Sequence, residues 1–281
     1  MREMQMTNGR WNRPFLLLLA ALLLMYLFTA SKPLQAAQQE STQQQAAPPN
    51  PATLTPRQIA ELKADILMAR KMYAEAIEAY EELLKSEPKN AELLNKIGVG
   101  YSNLTKLDSA KKYYERAIKA NPKFSAALNN LGTVHFYQKK FHRAIKTYER
   151  AIALRPDSAT FYGNMGHAWF ADKKYPEAIA AWGHALALDP QVFEQRGQGG
   201  TILQASSVEQ RSVFYFYMAK TYASLGNAER CARFLKRAID EGYKNIAGIE
   251  KDPAFASVIN DPLVREVLEP YMVPAPNKPS S

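Results

Sequence analysis

The chain has 281 residues, of which 47% are hydrophobic and 22% charged, with a single cysteine. That composition excludes a disordered chain, a collagen-like fibre and a protein of many membrane spans, and Cys231 alone excludes an intrachain disulfide framework or a cysteine-based zinc site. Lys and Arg number 36 against 27 Asp and Glu, so the net charge of +9 suggests nucleic acid or an anionic membrane until the positions of the charges are known.

Arg2, Arg10 and Arg13 precede an uncharged apolar run of 16 residues, Phe15 to Ala30, and Lys32 and Pro33 follow it. This is the layout of an exported N-terminus. Its length falls between a secretory apolar region of about 15 residues and a membrane-spanning helix of about 17–25. Residues 1–37 are therefore expected to form an N-terminal hydrophobic helix acting as an uncleaved signal anchor, with a cleaved signal peptide ending near Ala36 as the alternative. In both cases the basic flank keeps the N-terminus in the cytoplasm and the rest of the chain lies outside, in the periplasm if the source is bacterial. Residues 38–56 are rich in Gln, Ala and Pro and poor in large apolar side chains, the composition of a disordered tether.

From residue 57 the chain is periodic. Pro88, Pro122, Pro156 and Pro190 are each 34 residues apart, as are Ala76, Ala110, Ala144 and Ala178. Tyr80, Tyr114, Tyr148 and Trp182 keep the same interval, and so do Gly98, Gly132 and Gly166, with Ala64 in the first unit. A period of this length marks a repeat architecture. The small residues are places where two helices approach closely, the aromatics fill volume between them, and each proline ends a second helix. Thr55, Pro56 and Gln58 read as N-cap, first-turn proline and capping-box partner of the first helix. Four units span 57–192. An irregular loop is expected over 193–210, a fifth, degenerate unit over 211–244, and a C-terminal helical cap and tail over 245–281. Cys231 occupies the column held by alanine in the other units, which makes it a small core residue.

In its small, aromatic and proline positions, the segment Ile97 to Pro122 resembles the tetratricopeptide repeat family. That resemblance implies an all-α, right-handed superhelical solenoid of about five antiparallel helix pairs, whose first helices line a concave binding face. Carried onto this chain, it places the partner-binding lining at Asn95, Val99, Ser102, Asn129, Asn130, Thr133, Phe136, Asn164, His167 and Phe170. Asparagine side chains can hold an extended peptide by its backbone while Phe136 and Phe170 contact its side chains. Asparagine is also common at that position in such repeats, and this structural reading stays open. Glu61 and Asp65 stand where the family's carboxylate-clamp branch has basic residues, which disfavours an acidic C-terminal peptide as partner.

Arg70, Lys71, Lys106, Lys139, Lys140, Lys173 and Lys174 all fall in the turn between the two helices of a unit, so stacking lines them along one basic edge. An anionic bilayer or acidic partner and a merely solvated turn are both readings of it. No phosphate loop, metal-binding motif or nucleophile elbow is present. The histidines, His135, His142, His167 and His184, occupy different repeat positions. No enzyme activity, cofactor or metal is expected, and an enzyme built on the loop around Gly197 is a remote alternative. The expected function is a scaffold or assembly factor of the cell envelope with a protein or peptide partner, attached to the membrane through its N-terminal segment. Neither nucleic acid nor a small-molecule substrate is expected. A self-assembling structural component of an envelope complex is the second reading, and the oligomeric state is open.

Overall fold

A computed structural model of the chain describes residues 54–193 and 208–271. The expected anchor (1–37), residues 38–53 of the tether, residues 194–207 of the loop and the tail from 272 lie outside the described residues. The chain divides into two compact parts, 1–59 and 60–281, and of the first only residues 54–59 are described. Among the described residues there are eleven α-helices and no strand, and no helix is long and apolar enough to cross a membrane.

The helices pair within the 34-residue period. They are α1 (Pro56–Ala69) and α2 (Tyr73–Ser86), α3 (Ala91–Asn103) and α4 (Leu107–Ala120), α5 (Ser125–Tyr137) and α6 (Phe141–Leu154), α7 (Ala159–Ala171) and α8 (Tyr175–Leu188). A fifth pair, α9 (Val208–Ser224) and α10 (Ala228–Asp240), follows, with a helix already present from Val208. Thr55 and Gln58 close α1 as a capping box: the Thr55 amide donates to Gln58 Oε1 at 2.9 Å and the Gln58 amide to Thr55 Oγ1 at 3.2 Å. The second helix of each of the first four units stops at a residue forced out of helical geometry by the proline after it. Glu87, Asn121, Arg155 and Asp189 have φ between −132° and −145°, each directly before Pro88, Pro122, Pro156 or Pro190.

The repeated columns form the core. Ala76, Ala110, Ala144, Ala178 and Cys231 are completely buried, and Tyr80, Tyr114, Tyr148 and Trp182 nearly so. Burial pushes the Cys231 thiol up to about 12, with Asp261 adding to the shift, which leaves it protonated and inert. The glycine column has a specific cause. A Cβ on Gly98, Gly132 or Gly166 would meet the ring of Tyr114, Tyr148 or Trp182 at 2.6, 2.7 and 2.4 Å, so the aromatic of the second helix lies directly on the first.

The turns inside the units share one conformation. Lys71, Thr105, Lys139 and Lys173 are left-handed, with φ between 57° and 62°, and Gly226 takes the equivalent place in the fifth unit at 71°. Left-handed geometry strains a non-glycine residue by about 1–2 kcal/mol, more than the backbone entropy of glycine, about 0.5–1 kcal/mol. Lys139→Gly and Lys173→Gly are expected to raise stability by about 0.5–1 kcal/mol each, read as an increased urea midpoint. A lowered midpoint would contradict the left-handed assignment.

After the fifth pair the chain closes the end of the stack. Asp252 and Asp261 cap short helical segments, accepting from the amides of Ala254 (3.0 Å) and Leu263 (2.9 Å). Phe255, Val258 and, on α11 (Pro262–Leu268), Val264 and Leu268 are buried in one cluster with Leu235 and Ala238 of α10. Lys220 to Asp252 (2.6 Å) and Ser257 Oγ to the Ala223 carbonyl (2.9 Å) tie this segment to α9.

Candidate functional site

The face built from α1, α3, α5 and α7 is ordered by hydrogen bonds between residues 35 apart. Lys96 Nζ donates to Glu61 Oε1 at 2.9 Å, Asn130 Nδ2 to Asn95 Oδ1 at 3.0 Å, and Asn164 Nδ2 to Asn129 Oδ1 at 3.0 Å. Each joins the first helix of one unit to that of the unit before. Asn129 Nδ2 lies 3.4 Å from Asn130 Oδ1, which links the two amide pairs into one chain across three units. Lys96 also donates to both oxygens of Asp65, at 2.8 and 3.0 Å. Burial by itself lowers the pKa of Lys96, but the hydrogen bonds from Asp65 and Glu61 outweigh it and raise the value, so Lys96 stays charged. A partly exposed ion pair of this kind adds about 0–1 kcal/mol, so its effect is to fix geometry.

A second relation, 15 residues long, ties the two helices within a unit. Tyr80 OH donates to Asp65, Thr133 Oγ1 and Tyr148 OH are 3.1 Å apart, and Trp182 Nε1 approaches His167 Nδ1 at 3.4 Å. Val99 breaks the pattern in the second unit, and Tyr114 OH turns instead to Ser102 Oγ at 3.1 Å. The hydroxyls of Ser102 and Thr133 are therefore already engaged with a tyrosine.

The expected binding residues fall into two groups. Asn95, Val99, Asn130, Thr133 and Phe136 are half-buried on this face, and Phe136 packs beside Phe141 at 5.7 Å between ring centres. Asn129, Asn164 and His167 are buried. Phe193 and Phe214, from beyond the regular repeats, cover the fourth unit: their rings lie 6.1 and 5.7 Å from His167, and Phe193 comes within 3.3 Å of where a Cβ on Gly163 would sit. Phe170 is half-buried in the same aromatic group, 5.8 Å from Trp182 and 5.6 Å from Phe214. Among the described residues the face is thus half-buried over the second and third units and covered at the fourth by Phe193 and Phe214. Reading the sequence missed this cover because Phe193 and Phe214 lie where the period breaks. The amide pairs, by contrast, were findable from their constant interval of 35.

Two of the four histidines are buried with an unpartnered ring nitrogen, Nδ1 of His135 and Nε2 of His167. His142 is exposed and 3.7 Å from Asp172, while His184 stacks on Tyr162 at 5.4 Å. The histidines form no common site, and among the described residues no cluster of His, Cys, Asp and Glu is placed to hold a metal ion. All seven residues of the basic edge, Arg70, Lys71, Lys106, Lys139, Lys140, Lys173 and Lys174, are exposed.

Tetratricopeptide repeat models match residues 61–99, 91–124 and 125–158. No curated protein sequence matches the chain. Among solved structures, PilF of Pseudomonas aeruginosa is similar with a TM-score of 0.51 at 15% identity, covering 76% of this chain and 88% of its own. MamA of Desulfovibrio magneticus RS-1 has a TM-score of 0.48 at 18% identity, covering 66% of this chain and 94% of its own. YrrB, a repeat protein with an unusual peptide-binding site, has a TM-score of 0.44 at 19% identity, covering 66% and 87%. At 15% identity the likeness to PilF is one of fold, and it extends to the stacked helix pairs beyond the matched segment. Residues 61–158 are tetratricopeptide repeats.

Proposed function

We propose that the chain is a scaffold or assembly factor of the cell envelope that holds an extended segment of a partner polypeptide on the face of α1, α3 and α5, the concave side of a right-handed superhelix. One observation carries this reading: the side-chain amides of Asn95 and Asn130 stand half-buried and hydrogen-bonded to each other on a face that also carries the half-buried Phe136. Asn95 uses one hydrogen bond in this row and Asn130 two, so each keeps donor and acceptor capacity for a peptide backbone, and Phe136 offers an apolar contact on the same face. The envelope assignment is supported by the basic residues and apolar run of residues 1–37. Asn129, Asn164 and His167 are buried and support the face from beneath, His167 under the rings of Phe193 and Phe214.

The test is crosslinking and affinity capture from intact cells with the chain and its Asn130→Ala, Phe136→Ala variant, after circular dichroism confirms that both are folded. The reading predicts loss of specific partners from the variant; an identical set of partners removes this face as the site. A second reading, self-assembly, is favoured by the exposed apolar side chains Leu62 and Ile66 on α1. Light scattering during size exclusion distinguishes it, since a strict monomer excludes it.

A further inference from the structure

The edge formed by the turns between first and second helices is a second surface, separate from the amide row. Its seven cations come from four successive units. Neighbouring helices in such a stack lie about 10 Å apart, so the turns form a regular row. Among the described residues none of the seven makes an ion pair, and the one polar contact of a side chain among them is Lys140 Nζ to Gln138 Oε1 at 2.9 Å. Of the acids near this edge, Asp108 accepts from Gln138 at 3.0 Å and Asp172 faces His142 at 3.7 Å, while Glu75 and Glu177 are exposed in the first turns of α2 and α8, so the seven cations outnumber the four acids. Large apolar side chains are exposed on the same edge, Met72 beside Lys71 and Tyr137 two residues before Lys139.

Backbone strain adds an independent observation. Three of the five left-handed turn positions hold lysine, although glycine fits that conformation without strain and does fill it at Gly226, where the flanking residues Leu225 and Asn227 are uncharged. Strained residues of this kind point to a role beyond folding.

The chemistry of the edge selects among anionic partners. Its backbone is already satisfied, since the amides of Lys71, Lys139 and Lys173 donate to the carbonyls of Met68, Phe136 and Phe170, and those of Met72, Lys140 and Lys174 to Leu67, His135 and Trp169. Nothing there holds a polypeptide strand in register. Flexible cations with interspersed apolar and aromatic side chains fit a fluid surface of negative headgroups instead. We propose that this edge docks on an anionic lipid bilayer, with Lys71, Lys139, Lys140 and Lys173 among the headgroups and Met72 and Tyr137 at the interface.

The experiment is co-sedimentation of the full chain with phosphatidylcholine vesicles, with and without phosphatidylglycerol. Two fourfold variants are compared with the parent: Lys71, Lys139, Lys140 and Lys173 changed to Gln, and a control with Lys85, Lys89, Lys119 and Lys123 changed to Gln. Both lose the same charge and retain residues 1–53, so any difference between them belongs to the edge, and thermal melts check that both fold. The parent and control are expected to bind phosphatidylglycerol vesicles in preference to phosphatidylcholine alone. The edge variant loses about fivefold per lysine, on the order of several hundredfold in all. Equal binding of phosphatidylglycerol vesicles by the two variants overturns the proposal. Binding to polyglutamate without binding to phosphatidylglycerol vesicles also overturns it and assigns the edge to an acidic polypeptide.

Discussion

Trp182→Ala is expected to destabilise the chain by about 3–5 kcal/mol, as large aromatic truncations in closed cores do. Trp182 has no solvent exposure and is surrounded by the rings of His167, Phe170 and Phe214, with centres 5.4, 5.8 and 5.3 Å away. The truncation leaves a void that rigid neighbours on two helices cannot fill. A second measurement shows whether the glycine column exists because of the aromatic column. Gly166→Ala alone places its Cβ about where the indole already stands, 2.4 Å from a ring carbon, and overpacking of this kind costs about 1–3 kcal/mol. In the Trp182→Ala background the same change removes a glycine from a helix interior and gains about 0.5–1 kcal/mol. The sign of Gly166→Ala therefore reverses between the two backgrounds in a urea-denaturation cycle. If it destabilises equally in both, the column has another cause.

The second large effect is on pH dependence. His167 Nδ1 lies 2.6 Å from the Gly163 carbonyl, so that nitrogen carries the proton and donates. A protonated Nδ1 cannot also accept from the Trp182 indole at 3.4 Å, and the two rings meet edge to face instead. Nε2 is buried without a partner, and a proton placed there would put a charge among Trp182, Phe193 and Phe214. Burial accordingly lowers the pKa of His167 to about 4, with the Gly163 hydrogen bond opposing the shift. The unfolded chain binds this proton near 6.5, so between 6.5 and 4 the unfolded state takes up more protons than the folded one. The contribution is fully present above about pH 6.5 and is lost as the pH falls towards 4. It amounts to about 2 kcal/mol between pH 7 and pH 5. His135, its pKa lowered by burial and then by Lys111, Lys140 and Arg143, acts in the same direction. His167→Phe keeps an aromatic ring in the cluster and removes the titration. Its stability is expected to fall less steeply over that interval by about 2 kcal/mol, and identical slopes would contradict the burial of a neutral imidazole.

Much of the fold was legible because repetition amplifies weak signals. One alanine or glycine in a helix says little, but Ala76, Ala110, Ala144 and Ala178 at one interval mark a contact that recurs, and the structure buries all four. Pro88, Pro122, Pro156 and Pro190 likewise marked where second helices end. The left-handed turns were not legible as such. Their usual marker, glycine, appears only at Gly226, while Lys71, Lys139 and Lys173 read as charge alone.

The candidate face was legible as a set of positions and not as an environment. Asn130 and Asn164 carry the same residue type at the same repeat position, yet one is half-exposed and the other is buried, in a unit whose His167 lies under rings from outside the period. Pattern reasoning assigns equal places to equal columns. Tertiary contacts from Phe193 and Phe214 then make the fourth unit unlike the third. Lys96 was missed because its charge is paid for by Glu61 and Asp65 in the preceding unit, a relation between helices rather than along one.

The central claim is that a partner polypeptide lies on the face of α1, α3 and α5. Its most direct measurement is photo-crosslinking from a benzophenone side chain placed singly at Asn95, Asn130 or Phe136 on that face, and at Lys112 or Lys146 on the exposed side of α4 and α6. The account predicts one common partner captured from the three face positions and not from the two lysine positions. Capture of that partner from Lys112 or Lys146, with none from Asn95, Asn130 and Phe136, would contradict it.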